Sequence, residues 1–284
     1  MKSDRVSDFS PVARTLLIPL VYRALESRRP DGILRDERAV TLAAKLGDSI
    51  PRLARGGLDQ ATTIVRTCRF DRFAREFLAR RPEGTVVDVG CGLDTRFDRL
   101  DNGRLHWVGV DLPDVIALRR ELIPETPRSR LIAASVVEPE WLSEIEGHRP
   151  PVFFLAEGVF PYLAEIDVKR AVLSLAGRLP GSGLVFDALS RFSVWLHSHT
   201  HRGLRQSGAQ LRWGLEDPRA LEAWAPSIHL LEEWFYFDDD EPRLRPYRWI
   251  RHIPILAKGN FILHYRLGDP PDARMRLGAR TPAA

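Results

Sequence analysis

The chain has 284 residues, 44% hydrophobic and 28% charged, with a net charge of +4 and a pI near 9.3. That length suits one large domain, or one domain with a cap, and the balance is that of a globular protein with a sizeable core. The positive charge comes mainly from dispersed arginines, with no run of five like charges, so a nucleic-acid footprint is not expected.

Cys68 and Cys91 stand apart without a CxxC pattern, which argues against a disulfide framework and fits a reducing cytoplasm. The apolar run "TLLIPLV" (15–21) is interrupted by proline and too short to span a bilayer, so no membrane association is expected.

Residues 1–82 contain no convincing strand and read as a helical N-terminal cap. Within them, 58–82 forms a helix: Leu58, Ala61, Val65 and Cys68 follow one line with Phe70, Phe73 and Phe77 beside it, and Pro82 and Gly84 stop it. From 83 to 268 the pattern becomes strand and helix in alternation. Short apolar runs at 85–89, 106–111, 130–135, 151–157 and 183–189 lack polar alternation, as strands covered on both faces do. The segment 166–179 is a helix, with Val168, Ala171, Val172, Leu175 and Ala176 at helical spacing. Residues 190–225 break the repetition and read as a lid insertion; two more strands follow at 228–237 and 260–268. The tail 269–284 has no periodicity. The expected fold is α/β: five parallel strands plus a C-terminal pair, with right-handed crossovers, a helical cap and a lid.

Ligands of such sheets bind beyond the carboxyl ends of the strands. The first strand ends in Gly90-Cys91-Gly92, and the second ends in Asp111, 21 residues after Gly90 and well placed for ribose hydroxyls. Thr95 replaces the third glycine of a dinucleotide fingerprint, and no lysine stands in the turn. Asp88 and Asp94 flank the place where a pyrophosphate would sit, and acids repel phosphate. A nucleoside with a cationic end and no phosphate fits better, and S-adenosylmethionine has that form. The plain alternative is a structural turn whose aspartates cap the next helix.

"VVDVGCGLDTRFDRL", "VGVDLPDVIALRREL" and "FFLAEGVFPYL" resemble the leucine carboxyl methyltransferase superfamily, including its bacterial polyketide-type O-methyltransferase branch. The GxGxDTR form, completed by Arg96, and the VDLP end of the second strand carry most of the likeness, which extends over roughly 58–268. It implies a class I S-adenosylmethionine-dependent methyltransferase with a seven-stranded Rossmann-like sheet. By the same resemblance Arg66, in "VRTCRFD", binds the cofactor carboxylate through a bidentate pair. Gly90 and Gly92 pass along the methionine portion, supported by Asp88 and Asp94. Asp111 holds the ribose, Leu112 lies beside the adenine, and Glu157 lies at the reactive side. Many members carry Asp-Leu after the third strand; here Ser135-Val136 takes that place, and a neutral hydroxyl is the weaker acceptor for the adenine amine.

A carboxylate acceptor needs no base, whereas a phenol with a pKa near ~10 gains from one. Tyr162, His197 and His199 are the candidates for orienting the acceptor or taking its proton. "HSHTH" (197–201), read as a strand, would turn its histidines to one side; with no carboxylates nearby, no metal is expected. Arg202, Arg205 and Arg212 are candidates for an acidic substrate and Trp195 and Trp213 for a flat one, although solvation or packing is the simpler account of each. The expected activity is methyl transfer to a carboxylate or phenolic oxygen of a small molecule in polyketide or other specialised metabolism. A protein C-terminal carboxyl methyltransferase would instead show a groove for a peptide tail, and a non-catalytic cofactor-binding scaffold would bind cofactor without turnover.

Overall fold

A computed structural model describes residues 13–47, 57–148, 151–201, 204, 208–238 and 240–269. Seven strands form one sheet: β1 (Thr85–Val89), β2 (His106–Asp111), β3 (Ser129–Ala133), β4 (Val152–Ala156), β5 (Ser182–Leu189), β6 (Ile228–Phe235) and β7 (Asn260–Leu267). Their order is β3-β2-β1-β4-β5-β7-β6. The first five are parallel, and β7 runs antiparallel between β5 and β6. This is the five-plus-two sheet that the apolar runs predict. The third strand ends at Ala133, so Ser135 and Val136 lie just beyond it.

Around the sheet lie α1 (Leu17–Ser27), α2 (Glu37–Leu46), α3 (Leu58–Arg80), α4 (Arg96–Leu100), α5 (Pro113–Leu122), α6 (Glu165–Arg178) and α7 (Arg191–Thr200). Successive strand residues point to opposite faces, which splits the apolar runs between two cores. Val87, Phe154 and Phe186 meet Val168, Val172 and Leu175 of α6 on one face. Val86, Phe153 and Val185 meet Phe73 and Phe77 of α3 on the other. Burial of each such side chain stabilises the fold by roughly 1.5–3 kcal/mol. Every residue of β1 and β4 is buried, which is why these strands read as unbroken apolar runs.

The N-terminal region is helical. Asp36 caps α2 by accepting from the Ala39 N–H at 2.8 Å, and its other oxygen takes the Arg23 Nε of α1 at 3.0 Å. Among the described residues no helix is long and apolar enough to cross a membrane.

One local reading is overturned. The histidine-rich stretch is helical: Ser190 caps α7 by accepting from the Ser193 N–H at 3.1 Å. The cap and the i, i+3, i+4 spacing of Phe192, Trp195 and His199 outweigh the apparent alternation of "HSHTH".

Candidate active site

The chain leaves β1 for β2 and β3 on one side and returns to β4 on the other, so the strand order reverses between β1 and β4. There a cavity of about 440 Å³ opens beyond the strand ends, walled further out by α1, α3 and α7. Gly90 leaves β1 at φ +67°, and a Cβ there would run into Cγ2 of Val159. Only glycine meets both conditions. Gly92 follows at φ +43°, and its N–H donates to Asp111 Oδ2 at 2.7 Å; the Leu112 N–H donates to Oδ1 at 2.8 Å. Burial raises the Asp111 carboxyl pKa, and these two bonds partly offset the rise. Arg119 of α5 ties down the turn by donating to the carbonyls of Cys91 and Gly92, at 3.2 and 2.8 Å.

Beneath the turn runs a chain of buried ion pairs. Arg96 has no exposed side-chain surface; its Nε donates to Asp71 at 2.7 Å, and its two Nη groups pair with Asp94 and Glu157. Asp71 also takes Arg99 Nε at 2.9 Å, and Arg99 Nη1 reaches Asp36 at 2.6 Å. On the far side Glu157 Oε1 takes Arg66 Nε at 3.0 Å and the Thr67 hydroxyl at 3.1 Å. Arg66 Nη1 donates to Asp187 at 3.0 Å, and the other oxygen of Asp187 accepts from the Gly158 N–H at 2.5 Å. Burial works against the Arg66 charge, yet Asp187 and Glu157 together hold its pKa above the ordinary value.

Asp88 is the exception in this network. Its Oδ2 is buried without a hydrogen-bond partner, and Oδ1 lies 3.8 Å from Arg96 Nη1. Burial, then the neighbouring Asp94, pushes its carboxyl up to about 7 against the pull of Arg96. For Asp94, burial is outweighed by Arg96, Arg23 and Arg99, which hold it well below the usual carboxylate range. Two acids in one turn therefore divide into one that resists ionisation and one that is firmly ionised.

All ten residues expected at the cofactor line this one cavity. Arg66, Glu157, Asp88 and Asp94 lie toward its floor, Gly90, Gly92, Asp111 and Leu112 along the turn, and Ser135 and Val136 beyond β3. The bidentate face expected of Arg66 is partly used, since Nε and Nη1 are already committed to protein carboxylates. Tyr162 and His197 also line the cavity. His199 does not: its ring lies against exposed Trp195 at 5.0 Å, on another part of α7. Trp213 is buried against Phe160 and Phe186 in the core, and Arg212 is exposed. Arg202 and Arg205 lie outside the described residues.

Sequence reasoning passed over Asp187, Tyr236, Asp59 and Asn260, all of which line the cavity together with His201, the last histidine of "HSHTH". A lone acid in the apolar run "GLVFDAL" was the available signal for Asp187, because a buried carboxylate demands a cation. For the others the signal is three-dimensional. Among the described residues, six lining side chains are acids (Asp59, Asp88, Asp94, Asp111, Glu157 and Asp187) against two arginines, Arg23 and Arg66. That surplus of acid, with an orphaned buried carboxyl oxygen and a glycine cradle, fits a ligand that carries positive charge and fits poorly with a polyphosphate. Among the same residues no group of three or more His, Cys, Asp or Glu is arranged to hold a metal ion.

Comparison with known proteins agrees. The model of the leucine carboxyl methyltransferase family matches residues 17–175. The chain belongs to that family. It is thereby a member of a family of S-adenosylmethionine-dependent methyltransferases. It is 34% identical over 263 residues to the tetracenomycin polyketide synthesis O-methyltransferase TcmP of Streptomyces glaucescens, covering 89% of this chain and 96% of that one. It is 30% identical over 276 residues to the S-adenosyl-L-methionine-dependent methyltransferase dpfgK of Gibberella zeae, covering 90% and 92%. A crystal structure of a Streptomyces avermitilis protein of the DUF574 family superposes with a TM-score of 0.56 at 14% identity, over 88% of this chain and 97% of that one, a likeness of fold alone. Within this methyltransferase family member, the matched span runs from α1 to α6 and holds the glycine turn, Asp111 and Glu157.

Proposed function

We propose that this chain is an S-adenosylmethionine-dependent O-methyltransferase acting on a small molecule of polyketide or related specialised metabolism. The observation that carries the reading is the single acid-rich cavity at the strand switch point, lined by all ten residues that the family resemblance marks for the cofactor. The 34% identity to a polyketide-pathway O-methyltransferase over nearly the whole chain supports the choice of oxygen and of a small acceptor.

S-adenosylmethionine, when bound, supplies an electrophilic methyl group on a sulfonium. Asp111, its carboxylate oriented by the Gly92 and Leu112 N–H groups, retains lone pairs to accept from both ribose hydroxyls. Leu112 and Val136 flank the adenine, and the Ser135 hydroxyl accepts from its amine. The Arg66 guanidinium, beyond the Nε and Nη1 held by Glu157 and Asp187, pairs with the carboxylate of the methionine portion, while the ionised Asp94 balances its ammonium and Asp88 Oδ2 accepts a hydrogen bond from it. Asp187 and Glu157 hold Arg66 in place from two directions. α1, α3 and α7 wall the cavity, and Tyr162, which lines it, is the side chain to steady an acceptor in line with the methyl in this reading.

The test is transfer of a ¹³C-labelled methyl group to a panel of aromatic hydroxyl and carboxylic acid acceptors, with the product bond assigned by NMR. A methyl ether or ester supports the reading; label found only on nitrogen or sulfur overturns it.

A further inference from the structure

One residue reaches the cavity from the far side of the sheet. Tyr236 follows the last residue of β6, three strands along from β4 and on the side away from Asp111. Its N–H donates to the Asn260 carbonyl at 3.3 Å, extending the β6–β7 pairing by one residue. Its ring lies 5.2 Å from that of buried Trp234, over which Arg69 of α3 sits at 4.6 Å. Backbone and ring are thus both held. Tyr236 is 5% exposed and lines the cavity.

The Tyr236 hydroxyl takes a hydrogen bond from Arg66. A guanidinium has five N–H groups and nothing to accept with. Glu157, Asp187 and Tyr236 take three of those of Arg66, and two remain for a cofactor carboxylate. Because the hydroxyl accepts in its bond with Arg66, its own proton is left over. Among the described residues no group accepts that proton. Burial pushes the phenol above its ordinary pKa, more than Arg66 lowers it, so the proton stays in place at neutral pH. A hydroxyl that accepts from a cation is also the stronger donor for it.

The chemistry of the transfer decides which oxygen that proton serves. The reacting oxygen must aim a lone pair at the methyl carbon, and a strong donor on that oxygen would hold the pair back. A neighbouring oxygen of the acceptor meets no such conflict. We propose that Tyr236 is a specificity-determining residue that donates to a second oxygen of the acceptor, close beside the one methylated. This rests on the O-methyltransferase reading above and narrows it to acceptors with paired oxygens: a carboxylate, or a hydroxyl flanked by a carbonyl. A lone phenol leaves the Tyr236 proton unmet, and a site built around a hydrogen bond rejects the analogue that cannot make it.

The experiment measures dissociation constants of 1-naphthoic acid, 1-hydroxy-2-acetonaphthone and 1-naphthol on wild type and Tyr236→Phe, each loaded with S-adenosylhomocysteine. Wild type is expected to bind a paired-oxygen probe at least tenfold more tightly than naphthol, and the probe preferred separates the carboxylate from the hydroxy-carbonyl. Tyr236→Phe is expected to abolish that preference, with the affinities for naphthol and for S-adenosylhomocysteine within twofold of wild type. In protein labelled with ¹³Cζ-tyrosine, the resonance missing from Tyr236→Phe is expected to move on adding the preferred probe and not on adding naphthol. No preference in wild type, a preference that Tyr236→Phe retains, or an equal loss for all three probes overturns the inference. So does a loss of S-adenosylhomocysteine affinity in Tyr236→Phe, which would put the hydroxyl on the cofactor. Each of these leaves the O-methyltransferase reading standing, whereas S-adenosylhomocysteine that fails to bind folded wild type removes both.

Discussion

The two ends of the cavity are built differently. The turn end rests on strand termini and on nested ion pairs: Arg96 alone joins Asp71, Asp94 and Glu157, and Arg66 joins Glu157 to Asp187. The outer end is made of helix faces that carry single hydrogen bonds, such as His197 to Asn260. A ligand common to a whole family is served by a rigid, overdetermined site, because misplacement by an ångström is costly in transfer chemistry. An acceptor that differs from member to member is served by side chains that change without disturbing the sheet. The comparison implies that substitutions at the turn end cost stability and binding together, whereas those at the outer end cost turnover alone.

The largest effect is expected at Arg96. Arg96→Met takes one arginine from each of three buried carboxylates, leaving Asp71 and Asp94 to Arg99 and Glu157 to Arg66, and breaking a buried ion pair costs roughly 3–5 kcal/mol. Urea unfolding should register a loss of at least that order; a loss under 1 kcal/mol would mean that the network is slack. Next comes Gly90→Ala, where a left-handed backbone for alanine costs about 1–2 kcal/mol and the new methyl displaces Val159 toward the cavity. A fall in both melting temperature and cofactor affinity is expected, and a change in one without the other would separate the turn from the site.

Asp88 gives a pH signature. Its pKa is raised on folding, so its contribution to stability is present below the unfolded value near 3.8 and is lost as pH rises through about 7. The stability of Asp88→Asn relative to wild type should therefore climb between about pH 4 and pH 7 and level off above, followed by chemical unfolding at each pH. A flat difference would show that the carboxylate is already compensated. The smallest effect belongs to His199→Ala, because that ring packs on exposed Trp195. Turnover within twofold of wild type is expected, and a larger loss would erase the distinction between the cavity-lining and exposed faces of α7.

Much of this was legible in the chain. The parallel strands are legible because burial on both faces leaves runs such as "TVVDV" without polar alternation, and the turn is legible because Gly90 and Gly92 need positive φ. The face presented by each histidine was not, since it depends on the Ser190 cap that makes 191–200 helical. Asp187 and Asn260 were hidden for another reason. Asp187 sits inside an apolar run and Asn260 opens a strand of mixed character, and only β4–β5 and β5–β7 pairing bring them to Arg66 and His197.

The central claim is that the switch-point cavity holds the cofactor through Asp111 and Arg66. Calorimetric titration of S-adenosylhomocysteine into wild type, Asp111→Ala and Arg66→Ala tests it directly. The expected result is micromolar binding to wild type, weakened at least tenfold, about 1.4 kcal/mol, by each substitution in folded protein. No binding to folded wild type, or binding that both substitutions leave unchanged, would contradict it.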